Sequence, residues 1–234
     1  MRSYLGVLIV AANLAVVPGI TLAHGGGSSP SGGSSAASPS QRSADDAAKS
    51  AYNSGVRYIK KAQDYDADAA KASTPEKVAK AHEKAQKAYR ESLEYFIDAV
   101  GADPKMYQAW NYLGFANRHL GNYDDSLSSY AKALEINPNY PDAIEYRGEA
   151  YLGLNRIEDA KGAYMALFRD SRPLADELMA SMHRWADAHR QDPQGLSSAD
   201  VEAFSKWIDE RAGIAGKTAS LAVGAAQPWS QGPR

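Results

Sequence analysis

Between Ala109 and Tyr140, large apolar, small and helix-breaking residues fall at fixed intervals. Trp110, Leu113 and Gly114 come first, then Gly121 and Tyr123, then Tyr130, Ala133 and Pro138. The spacing predicts two short helices, Tyr107–His119 and Tyr123–Ile136. Gly114 and Ala116 leave room for a close helix partner, and Trp110, Leu113 and Tyr130 fill the space between. Asn122 stands at the turn, with Asp124 and Asp125 where they suit the second helix's dipole. Asn137-Pro138 ends that helix, because proline biases the preceding residue out of the helical region.

Shifted by 34 residues, the pattern returns. Ala109, Gly114, Ala116, Leu120, Asp125 and Tyr130 fall on Ala143, Gly148, Ala150, Leu154, Asp159 and Tyr164. Trp110 and Tyr123 fall on Ile144 and Ile157, which are also apolar. A fixed period of this size marks a repeat architecture. Upstream, Tyr89, Ser92, Phe96, Ala99 and Pro104 reproduce the spacing of Tyr123, Ser126, Tyr130, Ala133 and Pro138. The matching first helix offers Gly55 as its close-approach glycine and lies about 25 residues further away than one repeat unit allows. That insert predicts two lengthened helices joined near Ser73-Thr74-Pro75, with Thr74 as cap and Pro75 in the first turn.

On Trp110, Leu113, Gly114, Gly121, Tyr123, Tyr130, Ala133 and Pro138, and on Gly148, Tyr151, Ala160 and Tyr164, the chain resembles the tetratricopeptide-repeat family. The resemblance covers residues 104–173, and the usual closing proline of the second repeat is displaced to Pro173. It implies an all-α fold: a right-handed superhelix of antiparallel helix hairpins with C-terminal capping helices. The divisions are a divergent first hairpin at 45–104, repeats at 105–138 and 139–173, and capping helices at 174–211. It also implies a concave groove lined by first helices. Gln108, Asn111, Tyr112, Phe115 and His119 would line one repeat, and Asp142, Glu145, Tyr146 and Glu149 the next. Lys49, Tyr52, Asn53 and Val56 are the counterparts in the first hairpin. Aromatics with amides suit a bound peptide, and the carboxylates favour a partner carrying Lys or Arg. Glu145 and Glu149 stand where relatives that clamp a terminal carboxylate need donors.

Downstream, Leu174, Leu178, Met182 and Trp185 recur at helical spacing and cover the end of the array. A last helix carries Val201, Phe204, Trp207 and Ile208 on one face, with Ser197 as cap and Asp200 in its first turn.

The ends differ in composition. Residues 1–23 hold one charge, Arg2, and an apolar run from Tyr4 to Val17, followed by Pro18-Gly19 and Thr21-Leu22-Ala23. This is the pattern of a secretory signal peptide cleaved after Ala23. The alternative is an uncleaved anchor, for which the run is short against the roughly 20 residues of a full span. Residues 24–44 are rich in Gly, Ser, Pro and Ala and read as a flexible linker; residues 212–234 read as a loose tail.

Composition narrows the function. The 234 residues include no cysteine, which excludes disulfides and thiolate metal sites. The formal charge of -2 gives no overall field toward nucleic acid. Among the histidines, His24, His82, His119, His183 and His189, no metal-ligating set emerges; His183 and His189 lie on different helix faces. Gly213–Thr218 ends like a phosphate loop, yet Arg211 stands where a glycine is needed and no strand precedes it. No acid–base pair stands out. The expectation is an exported, periplasmic or secreted, non-catalytic protein-binding module without cofactor. The alternatives are a membrane-tethered structural component and a small-ligand-binding subunit. The oligomeric state is open.

Overall fold

Small residues recurring at helical spacing allow the first two helices to run long and pack closely. The computed structural model describes residues 39–225, with side chains for 40–217. Helix α1 spans Pro39–Lys71 and α2 spans Pro75–Ala102. Their seam is built from Ala48, Ile59, Ala62 and Ala69 on one side and Ala81, Ala85, Ala88 and Ala99 on the other. The turn falls where the sequence places it: Thr74 Oγ1 accepts from the Lys77 N–H at 3.4 Å, and Pro75 opens the helix. Phe96 is fully buried and reaches across to Gly55, where an added Cβ would sit 2.7 Å from its ring.

Helix α3 spans Tyr107–His119 and α4 spans Tyr123–Ile136, as the periodicity predicts. They close a second antiparallel hairpin. A Cβ on Gly114 would lie 2.6 Å from the Tyr130 ring, so glycine is what lets that ring in. Ser126 Oγ crosses the same seam and donates to the Gly114 carbonyl at 2.8 Å. Leu113 and Tyr130 are buried, whereas Trp110 is half-buried and donates from its indole to the Pro104 carbonyl. Asn122 does not cap α4 with its side chain; it donates to Asn117 Oδ1 at 3.2 Å instead. These four helices form one compact unit, ending at Asn137.

The second unit begins at Pro138 and holds α5 (Pro141–Gly153), α6 (Ile157–Asp170), α7 (Arg172–Gln191) and α8 (Ser198–Ala225). A Cβ on Gly148 would meet Leu178 at 2.7 Å and the Ala163 Cβ at 3.2 Å, so α5 approaches both α6 and α7. The core is Tyr164, Leu167, Leu178, Met182, Trp185, Phe204 and Ile208, which makes α7 and α8 the cover that the apolar spacing predicts. Ser197 caps α8: its Oγ accepts from the Asp200 N–H at 3.1 Å and donates to the Asp200 carboxylate at 2.6 Å.

Two boundaries differ from the sequence reading. Helix α1 begins at Pro39, inside the segment read as linker, and α8 continues to Ala225, where a loose tail was expected from residue 212. Alanine is the best helix former and no proline intervenes before Pro228, so α8 carries its glycines at tolerable cost. The Gly213–Thr218 stretch lies inside that helix and forms no phosphate loop. The signal-peptide reading lies outside the described residues. Among the described residues there is no strand, and no helix is long and apolar enough to cross a membrane.

Candidate functional site

In the first unit, a pocket of about 340 Å³ opens between the first half of α1 and the start of α3. Lys49, Tyr52 and Asn53 line it from α1, Gln108 from α3, and Met106 from the residue that precedes α3. Four of these five residues are ones the sequence assigns to the groove. Met106 was missed because it precedes the helix and takes no part in its periodicity.

Aromatic rings build the wall behind the pocket. Tyr52 meets Phe96 edge-on at 6.0 Å and Tyr112 at 5.8 Å, and Phe96 stacks on Tyr112 at 5.4 Å. The line continues through Phe115 to His119 at 4.4 Å, and His119 stacks on Tyr89 at 4.5 Å. Such pairs stabilise by about 0.5–1.5 kcal/mol beyond the area they bury, so the wall is rigid. Desolvation holds the His119 imidazole well below its ordinary pKa, and the adjoining Arg118 charge adds to that.

Not every predicted groove residue faces outward. Asn111 and Phe115 are buried, because α3 is flanked by α2 and α4 and only a narrow arc stays open. Gln108, Tyr112 and His119 are half-buried on that arc. Asn111 Oδ1 has no hydrogen-bond partner among the described residues. Behind the wall, Tyr89 Oη donates to Asp66 Oδ2 at 2.8 Å, and His82 Nδ1 lies 3.7 Å from Asp66 Oδ1. Sequence periodicity does not reveal this cluster, since Asp66 and His82 lie in the insert and only Tyr89 belongs to the repeat pattern.

In the second unit the predicted residues form an acidic face on α5. Asp142, Tyr146 and Glu149 are half-buried, and Glu145 is buried, since α5 packs against both α6 and α7 and its open arc is narrow. Ser181 Oγ donates to Glu149 Oε1, and Arg184 donates to Ser181 at 2.9 Å. Burial raises the Asp142 carboxyl above its usual range. Glu177 is raised by burial and then by the charges of Glu149 and Asp142.

Residues 79–141 match a tetratricopeptide-repeat family model, and residues 117–182 match a second one. The chain is also similar to a protein of Plasmodium falciparum named Hsp70-Hsp90 organising protein, at 30% identity over 77 residues, 33% of this chain and 31% of that protein. A protein of the same name from isolate 3D7 is 30% identical over 77 residues, which is 14% of its length. The chain thus spans less than a third of either relative.

Proposed function

We propose that this tetratricopeptide-repeat protein, whose repeats occupy residues 79–182, is an exported, non-catalytic scaffold or assembly factor that holds a partner peptide on its first helices. Tetratricopeptide repeats are protein-interaction modules, and similarity to proteins named for organising others supports a scaffolding role. The observation that carries the reading is the pocket of Lys49, Tyr52, Asn53, Met106 and Gln108 against its aromatic wall. Rigid aromatics supply contact area at little entropy cost, and the amides pair with an extended backbone. The acidic face of α5, taken by itself in the second unit, favours Lys or Arg in whatever segment it meets. Export to the periplasm or beyond rests on the apolar run and the Thr21-Leu22-Ala23 site.

The test is crosslinking capture from the native cell envelope with the full chain as bait, followed by mass spectrometry. The comparison baits are Lys49→Glu and Asp142→Lys, each checked for folding by circular dichroism. A partner captured by the parent and lost with Lys49→Glu places recognition at the pocket. Equal capture by all three baits removes the groove from the function.

A further inference from the structure

The far half of the first hairpin has a charge character of its own. Residues 57–90 hold nine Lys or Arg against five Asp or Glu, while the remaining chain holds 17 against 23. Of the five acids, Asp66 is buried and already engaged by Tyr89. Lys77, Lys80, Lys84 and Lys87 follow one another at helical intervals along α2, and all four are exposed. Their spacing confines them to one stripe beside the buried alanine seam. None lies within ion-pair distance of a carboxylate among the described residues.

Tyrosines of α1 adjoin the stripe. The Lys84 ammonium lies 5.3 Å from the Tyr65 ring, Tyr58 stacks on Tyr95 at 5.3 Å, and Lys61 lies 5.4 Å from the Tyr58 ring. The rings are half-buried, so each offers an apolar body with a wet edge. One face of the hairpin therefore presents a row of four lysines, with tyrosines beside it and the exposed Glu76 and Glu83 along its edge.

We propose that this face docks on an anionic lipid surface. Ammonium groups are compact, hydrated point charges that suit a diffuse layer of phosphate headgroups; bidentate recognition of one partner uses arginine. Tyrosine beside lysine is the composition that settles at a bilayer interface. The four lysines lie along the outside of one helix, which suits an extended charged surface rather than the enclosure of a strand. Each lysine at such a surface strengthens partitioning about five-fold. Neutralising all four should weaken it by roughly two to three orders of magnitude.

The experiment is co-sedimentation of the full chain with vesicles of phosphatidylglycerol and phosphatidylcholine, against phosphatidylcholine alone. Retention on the neutral vesicles measures what the apolar N-terminal run contributes; the difference between vesicles measures the lysine face. The test variant is Lys77→Gln with Lys80→Gln, Lys84→Gln and Lys87→Gln. The control removes the same charge elsewhere, at Lys105, Lys132, Lys206 and Lys217. The expected result is anionic binding that the test variant loses, the control keeps and high salt abolishes. Equal binding to both vesicles, or equal loss in both variants, overturns the proposal. So does tighter, lysine-dependent binding to poly-glutamate or duplex DNA than to the anionic vesicles.

Discussion

The Tyr89 hydroxyl donates a 2.8 Å hydrogen bond to Asp66 across the first hairpin, 23 residues away in sequence, with both side chains buried. Burial pushes the Asp66 carboxyl up, and only the Tyr89 bond and His82 pull it back. The pair is therefore worth more to break than to lack. Tyr89→Phe strands a buried carboxylate and should cost about 1.5–3 kcal/mol. Asp66→Asn keeps an acceptor for Tyr89 and should cost less, or stabilise, at neutral pH. Urea denaturation of the two variants side by side decides; equal losses would show that stranding the carboxylate costs no more than replacing it.

Acid should weaken the first unit through His119. Its folded pKa is depressed below the ordinary 6.5, so the unfolded chain binds the proton more readily. Stability present above that value is lost as pH falls through it, with a slope of at most about 1.4 kcal/mol per pH unit. Asp66 acts with the opposite sign, since its raised pKa favours the folded state as pH falls toward its own titration. His119→Gln should flatten the pH dependence of unfolding below pH 6.5. An unchanged slope would remove His119 as its source.

Close helix approach makes a graded prediction. Gly114→Ala puts a Cβ 2.6 Å from the Tyr130 ring and should cost about 1–3 kcal/mol. Gly148→Leu, aimed at Leu178 and Ala163, should cost at least as much. Gly162→Ala meets nothing within 4 Å in mid-helix and should gain about 0.5–1 kcal/mol. Thermal melts of the three would reverse the argument if Gly114→Ala were neutral.

The α5–α6 turn turns on Asn155, whose φ of 57° is left-handed. Its side-chain Oδ1 lies 3.1 Å from His189 Nε2, and its side-chain Nδ2 donates to the Gln194 carbonyl at 3.4 Å. Asn155→Ala loses both contacts and strains the backbone, and should cost about 2–3 kcal/mol. Asn155→Gly loses the contacts without the strain and should fall between. Hydrogen exchange of the α7 amides reads the difference; a Gly variant worse than Ala would contradict it.

Much of this architecture was legible because a repeat states each rule twice. Gly114 and Gly148 occupy equivalent repeat positions at which a Cβ would clash, and Gly121 and Asn155 occupy equivalent turns with positive φ. The pocket was legible for the same reason: Lys49, Tyr52, Asn53 and Gln108 lie on first helices whose phase the glycines set. What escaped depends on neighbours that periodicity cannot count. Asn111 and Glu145 have the phase of open positions, yet flanking helices cover them. The helical continuation of α8 to Ala225 escaped because glycine and alanine together suit both a helix and a tail. The Asp66–Tyr89 bond escaped because Asp66 lies inside the insert, where no repeat supplies a template for the partner of Tyr89.

The alanine seam of the first hairpin has one more implication. Alanines on both helices offer nearly the same surface at every turn, so a slide of one helix past the other would exchange like for like. Alignment must come from the few places that are not interchangeable. Gly55 makes room for the Phe96 ring, and Asp66 accepts the Tyr89 hydroxyl. Two pins, one steric and one polar, fix the vernier of the whole rod. The lysine row beside them keeps its spacing against the tyrosines of α1 only while both pins hold.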